Sequence, residues 1–113
     1  MRFWRHCNEV NSYVPSDHIG TYNRKVVSLE DGIKGFEVVI SEMEEGGLGL
    51  PHVHEDFEQV MYILEGRMYV EINGEQGELM AGHVVWIPKN ALHEAKNIGP
   101  GPLRLVVINA PSD

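Results

Sequence analysis

The sequence predicts a single all-β domain, and three features of the chain lead to this fold class. Its 113 residues are enough for one hydrophobic core and too few for two domains. Short segments rich in Val, Ile, Tyr and Met recur along it, separated by residues that favour turns. Its 12 Gly and 6 Pro are spread along the chain rather than gathered into a linker, and no segment has a convincing helical period. We therefore expect a sandwich or barrel of short strands.

Seven segments are predicted to be strands, with bounds at 22–29, 36–43, 59–64, 68–72, 77–80, 84–87 and 103–109. Pairs of residues that tolerate turn geometry lie between most of them: Asp31-Gly32, Gly46-Gly47, Glu65-Gly66, Asn73-Gly74 and Ala81-Gly82. Residues 60–64 form an apolar run without alternation, which is typical of a strand covered on both faces. The barrel interior would cover one face, and another layer or a second subunit the other, so we expect a homodimer.

Residues 1–20 are the least regular part of the chain, and we expect them to form an N-terminal arm or edge strand beside a barrel of residues 21–113. The opening residues carry charge and lack a continuous apolar stretch, so they resemble neither a signal peptide nor a membrane anchor. The lone Cys7 cannot form an intrachain disulfide. We therefore expect a cytoplasmic protein with no membrane partner.

The charge balance argues against a nucleic-acid partner. Asp and Glu number 17 against 9 Lys and Arg, which gives a formal net charge of -8, and no basic run interrupts this balance. The partner that we expect is instead a small-molecule substrate or ligand.

Three histidines are the residues most suited to binding a metal. His52 and His54 flank Val53, and residues two apart on an extended strand point to the same face, so both imidazoles can reach one point. His93 follows much later in the chain, and two antiparallel strands could bring it to the same place. Neutral imidazoles suit Zn, Fe, Ni, Cu and Mn. The sequence therefore predicts one divalent transition metal at this position.

Two glycine-framed motifs surround these histidines. The first, GGLGLPHVHEDFEQVMYILEG, contains Gly46, His52, His54, Gln59 and Gly66. The second, GHVVWIPKNALHEAKN, contains Gly82, Pro88, Asn90, His93 and Asn97. Together they resemble the two conserved motifs of the cupin superfamily, in the short form of small single-domain bacterial cupins. The resemblance implies a double-stranded β-helix, also called a jelly-roll barrel, with a metal in its mouth. Asn90 stands where the family most often has Gly, and Asn is another residue that tolerates a left-handed turn.

The fourth metal ligand has two candidates. The family usually supplies Glu, with Gln or His as substitutes. Counting back from Gly66 selects Gln59, whereas counting forward from His54 selects Glu58. Adjacent strand residues face opposite sides, so only one of them can point at the metal. We favour Gln59 because the strand between ligand and turn glycine is the less elastic segment.

Strand parity also nominates residues for a pocket beside the metal. Met61 and Ile63 share the parity of Gln59, and Trp86 is a further candidate. Such a lining favours a small, partly apolar substrate over a polyanion.

The resemblance implies a metal more firmly than a reaction, because cupins include oxygenases, isomerases, lyases, decarboxylases and non-enzymatic binders. We expect a metal-dependent enzyme, dioxygenase-like, that acts on a small organic molecule. The first alternative is a metal-assisted isomerase or ring-opening enzyme for a sugar acid, for which Glu58, Tyr62 or His83 could serve as a base. The second alternative is a barrel that binds or senses a small molecule without turnover.

Overall fold

The fold is all-β, as the sequence predicts. The computed structural model describes residues 2–111. Its strands within that range are β1 (His18–Val27), β2 (Glu37–His52), β3 (Phe57–Glu65), β4 (Arg67–Ile72), β5 (Glu75–Met80), β6 (Val84–Ile87), β7 (His93–Asn97) and β8 (Leu103–Pro111). Short 3-10 helices lie at Cys7–Glu9 and Leu29–Asp31. None of the helices found between residues 2 and 111 has the length and apolar character needed to cross a membrane.

A single curled sheet contains all of these strands, and the long strand β2 joins its two halves. The order is β5-β4-β7-β2-β8-β3-β6, with β1 also paired to β2. The first part of β2, Glu37 to Met43, pairs with β8, while its last part, Leu48 to His52, pairs with β7. This change of partner places the end of β2 beside the start of β7, which is where the candidate site lies.

Two local predictions differ from the structure. The Gly46-Gly47 pair does not end a strand: β2 continues through it, with Gly46 at a φ of 80°. Strand β7 is not among the predicted strands, because the segment His93–Asn97 alternates weakly and is poor in β-branched residues. It is extended because β2 and β4 pair with it on either side, and tertiary pairing overrides a weak local preference.

The core lies between the two halves of the sheet. Its buried apolar side chains come from six segments and comprise Val39, Met43, Met61, Ile63, Met68, Val70, Ile87, Ala91, Leu103, Leu105 and Val107. In β3 the odd-numbered Met61 and Ile63 point inward, while Val60, Tyr62 and Leu64 are 37%, 46% and 42% exposed. The unalternating run of β3 is therefore covered on one face within this chain.

The N-terminal segment packs along the edge of the barrel. Strand β1 begins at His18, inside the segment 1–20 for which we expect an arm or an edge strand. Tyr13 and Asn23 exchange two backbone hydrogen bonds of 2.9 and 2.8 Å. The Arg5 guanidinium donates to both carboxylate oxygens of Asp31 at 2.9 and 2.7 Å. The Tyr13–Asn23 pairing holds residues 13–16 at the mouth of the barrel, and the Arg5–Asp31 ion pair fixes the chain nearer its start.

Candidate metal centre

The structure brings His52, His54 and His93 together. His52 is the last residue of β2 and is paired across the sheet with His93, the first residue of β7. His54 follows two residues later, and the ligand atoms that the three side chains offer lie within 4.8 Å of one another. Their ring centroids are 4.3 to 4.9 Å apart. We call these three residues the histidine cluster.

Backbone carbonyls orient two of these rings. The Nδ1 atom of His52 lies 2.5 Å from the Leu50 carbonyl oxygen, and that of His93 lies 3.0 Å from the Ala91 carbonyl oxygen. A carbonyl oxygen only accepts, so each Nδ1 must carry the proton and donate it. Each Nε2 then keeps its lone pair, which is the arrangement that metal-binding histidines use. The donor set therefore fits a divalent transition metal.

Burial disfavours the charged form of two residues of the histidine cluster, His54 and His93. The pKa of His54 is lowered to about 4, chiefly by burial and to a smaller extent by the neighbouring imidazoles of His52, His93 and His18. The pKa of His93 is also lowered by burial, against the opposing effect of the Ala91 carbonyl. Neutral imidazoles can bind a metal without first releasing a proton, so these shifts favour metal binding near neutral pH.

The two candidates for a fourth ligand lie on opposite faces of β3. Gln59 is half-buried and lines the cavity that contains the histidine cluster, and its Nε2 donates to Asn109 Oδ1 at 2.9 Å. That hydrogen bond uses the amide nitrogen and leaves Gln59 Oε1 as the atom that could ligate. Glu58 is exposed on the outer face, where it pairs with Ala110. Glu58 therefore does not share the site.

The cavity above the histidine cluster has a volume of about 280 Å³, near the lower end of the range for small-molecule sites. Met61 lines it, as predicted from parity, whereas Ile63 is 1% exposed and belongs to the core. Trp86 does not belong to the lining, which is a correction to the prediction. It is 68% exposed because it pairs with the outward-facing Val60, and directly paired residues point to the same side of a sheet.

The cavity wall is neutral apart from its histidines. Its lining within residues 2–111 includes no Lys, Arg, Asp or Glu. Apolar side chains form most of one wall. The neutral polar groups of the lining are supplied by Ser16, Asn23, Ser41, Gln59 and Asn109. Such a wall suits a small, partly apolar molecule with neutral polar groups better than a polyanion.

His18 is the residue of this site to which the sequence assigns no role. Its ring centroid lies 5.7 Å from that of His52, and it lines the same cavity. No sequence signal marks it, because the contact depends on β1 lying beside β2. The side chains offered as a base for isomerisation lie elsewhere: Glu58 and Tyr62 are exposed on the outer face of β3, and His83 is exposed in the turn before β6.

Comparison with known proteins gives the following relationships. The profile of the family described as "Cupin domain" matches residues 39–109. An uncharacterised protein of Methanocaldococcus jannaschii is 35% identical over 66 residues. These residues cover 58% of this chain and 53% of that relative, so the chain spans about half of the relative's length. The pectin degradation protein KdgF of Dickeya dadantii is 26% identical over 93 residues, which cover 81% of this chain and 82% of KdgF.

The solved structures agree with the fold. The polyketide cyclase RemF of Streptomyces resistomycificus superposes with a TM-score of 0.85 at 26% identity, covering 100% of this chain and 81% of RemF. The similarity extends over the N-terminal segment as well as the barrel.

Proposed function

Because this chain belongs to the cupin domain family, we propose that it is a metal-dependent enzyme that acts on a small organic molecule. The observation that carries this proposal is the histidine cluster, whose ligand atoms lie within 4.8 Å of one another at one side of a cavity. The backbone hydrogen bonds of His52 and His93 leave both Nε2 lone pairs free to bind an ion.

Four side chains would hold one divalent transition metal: His52, His54, His93 and Gln59, the last through Oε1. Iron, nickel, manganese, zinc and copper all accept such ligands. When bound, the metal supplies a Lewis acid that polarises a carbonyl or stabilises an enolate. The hydrogen bond from Gln59 Nε2 to Asn109 Oδ1 leaves Gln59 Oε1 free for this role. Met61 and the other apolar residues of the wall exclude water from the substrate.

The reaction class that we favour is isomerisation, or the opening or closing of a ring, in a carbonyl compound. One relative is described as a pectin degradation protein and one similar structure as a polyketide cyclase. Sugar acids and polyketides both offer carbonyl and hydroxyl groups to a Lewis acid. The neutral cavity wall favours an uncharged or singly charged substrate of this kind.

An oxygen-dependent, dioxygenase-like reaction is the second candidate function. It is favoured by the ligand set itself, since three neutral imidazoles suit iron and leave positions for substrate and dioxygen. Turnover by the metal-loaded protein with full activity under strict anaerobiosis would support isomerisation. Consumption of oxygen together with an enolic, catecholic or diketone compound would support the second candidate.

The first test is elemental analysis of the purified, tag-free protein, before and after chelation and reloading with single metals. We expect about one metal per chain, lost in His52→Ala and retained in His6→Ala, which removes an exposed histidine far from the cluster. If no metal binds under any condition, the metal-dependent proposal fails. If metal and small molecules bind tightly but none is turned over, the protein is a binding or sensing barrel.

We also propose that the chain forms a homodimer through the outer face of the sheet. Eight apolar side chains form two rows across β2, β8, β3 and β6. The first row contains Val38, Ile108, Val60 and Trp86, and the second contains Ile40, Val106, Tyr62 and Val84. Their exposure reaches 68% at Trp86 and 50% at Val84. Together they present on the order of 600 Å² of surface, close to the ~800 Å² that each partner contributes to a standard interface.

A charged substitution on this outer face tests the dimer. We expect the wild-type chain to sediment as a dimer and Trp86→Glu to sediment as a monomer, because an unpaired charge would be buried in the interface. Leu92→Glu is the matched control, since Leu92 is 55% exposed in the loop before β7 and lies on none of the four strands of this face. Its amide donates to Asn73 Oδ1 in the turn between β4 and β5. A wild-type monomer at high concentration would overturn the proposal.

A further inference from the structure

His18 is fixed on two sides within the cavity. On one side its Nδ1 lies 3.3 Å from the hydroxyl oxygen of Thr21, whose side chain is fully buried at 0% exposure. On the other side its Cε1 faces Gly49, to which it is paired across β1 and β2. A Cβ at Gly49 would lie 2.9 Å from that Cε1 atom. The missing side chain at Gly49 therefore makes room for the ring.

The Thr21 hydroxyl determines which nitrogen of His18 carries the proton. Its oxygen donates to the Ile19 carbonyl oxygen at 3.4 Å, and a hydroxyl has only one proton to give. An oxygen that gives its proton to Ile19 faces His18 as an acceptor, and in that arrangement His18 Nδ1 is the donor. The neutral ring then carries its lone pair on Nε2, which is its remaining polar atom.

His18 lies outside the histidine cluster. The group of side chains whose ligand atoms lie within 4.8 Å of one another contains His52, His54 and His93 but not His18. The centroid of its ring is 5.7 Å from that of His52. It thus offers a hydrogen-bond acceptor to a molecule in the cavity, beside the position of the metal rather than at it.

We propose that His18 binds the substrate, with its Nε2 accepting a hydrogen bond from a substrate hydroxyl while the substrate carbonyl lies at the histidine cluster. Thr21 is a positioning residue that acts through His18. This inference rests on the proposed function, because it assumes that the substrate lies beside the metal. It defines the substrate class further: a hydroxylated carbonyl compound, with its hydroxyl and carbonyl on neighbouring parts of the molecule.

The first measurement is the tautomer of His18 in the metal-free, ¹⁵N-labelled 113-residue chain at neutral pH, by long-range ¹H–¹⁵N correlation. We expect the Nδ1–H tautomer in the wild type and in Thr21→Ser, which retains the hydroxyl. In the similarly shaped Thr21→Val the accepting oxygen is lost, and we expect the Nε2–H tautomer to become populated. A wild-type His18 protonated at Nε2 would overturn the proposal.

The second measurement compares two small probes of equal heavy-atom count, hydroxyacetone and 2-butanone, by chemical-shift titration of the zinc-loaded protein. We expect hydroxyacetone to bind about two- to tenfold more tightly, the effect of one hydrogen bond. His18→Phe should bind both probes equally. Gly49→Ala, which keeps the histidine but displaces its ring, should reduce the preference as well. If the preference for hydroxyacetone over 2-butanone persists in His18→Phe, or is missing in the wild type, the proposal is overturned.

Metal content separates this proposal from the proposed function. We expect His18→Phe to retain its zinc, and loss of zinc would instead make His18 a metal ligand and end the proposal. If the wild type binds no metal, the metal-dependent function fails. The tautomer and the probe preference of the metal-free chain then still decide the role of His18.

Discussion

Asn97 connects three parts of the barrel through one buried side chain, and its removal is the most informative test of the fold. It is 5% exposed. Its Nδ2 lies 3.0, 3.1 and 2.9 Å from the carbonyl oxygens of Met43, Glu44 and Gly101, and its Oδ1 accepts from the Gly99 amide at 3.2 Å. The two amide protons are therefore shared among three acceptors. The side chain joins the middle of β2 to the end of β7 and the loop before β8.

Asn97→Ala should destabilise the protein by about 3–5 kcal/mol. About three net hydrogen bonds at ~1 kcal/mol each are lost, and the buried carbonyls left without a donor add a desolvation penalty. This is a large part of the ~5–15 kcal/mol that stabilises a typical domain. For a domain of this size we expect the melting temperature to fall by about 10–25 °C.

Thermal unfolding of Asn97→Ala should be followed by far-ultraviolet circular dichroism. Trp4 is 73% exposed and Trp86 lies on the proposed dimer interface, so tryptophan fluorescence would not report the loss of the core alone. The control is Asn11→Ala, which alters an exposed asparagine and should change stability by no more than ~0.5 kcal/mol. If the melting temperature of Asn97→Ala falls by less than about 4 °C, or if that of the control falls equally, the assigned role is refuted.

Three further predictions concern the turn before β4, the pH dependence and the fourth ligand. Gly66→Ala should lower the melting temperature more than Gly74→Ala: both residues have positive φ, but a Cβ at Gly66 would lie 2.6 Å from a backbone carbonyl oxygen, whereas Gly74 faces open space. Equal decreases in melting temperature for the two variants would contradict this prediction. The metal-free protein should lose stability as the pH falls from about 6.5 toward about 4. The pKa of His54 is lowered in the folded state, so over that interval the unfolded chain takes up the proton more readily. Thermal melts of His54→Gln should show a shallower pH dependence, and an unchanged dependence would contradict the assignment. Gln59→Leu should weaken metal retention against a chelator while Glu58→Leu leaves it unchanged, and the reverse result would transfer the ligand to Glu58.

Much of the architecture follows from local sequence patterns. The alternation of inward and outward residues at Met61, Tyr62 and Ile63 is a property of an extended chain, so it can be inferred without knowing what the strand packs against. The glycines with positive φ at Gly66 and Gly82 mark turns for the same local reason. The all-β fold, predicted from these patterns, and membership of the cupin family, indicated by the resemblance of the two glycine-framed motifs, are confirmed.

Only part of the candidate site can be inferred from local sequence patterns. That His52 and His54 share a face follows from their spacing, and Gln59 rather than Glu58 lines the cavity because of the parity of β3. The role of His18 could not be inferred in this way. It depends on the register of β1 against β2, which places the ring beside Gly49, far along the chain.

Pairing between strands decided what the sequence left open. Strand β7 is extended because two neighbours pair with it, and Trp86 points outward because Val60 lies opposite it. Side-chain alternation depends only on neighbouring residues in the chain, so it can be inferred from the sequence alone. The register between strands depends on the packing of the whole core, since a shift of one residue would turn every side chain of a strand to the opposite face. Only the tertiary structure could therefore determine which side chains meet in the cavity.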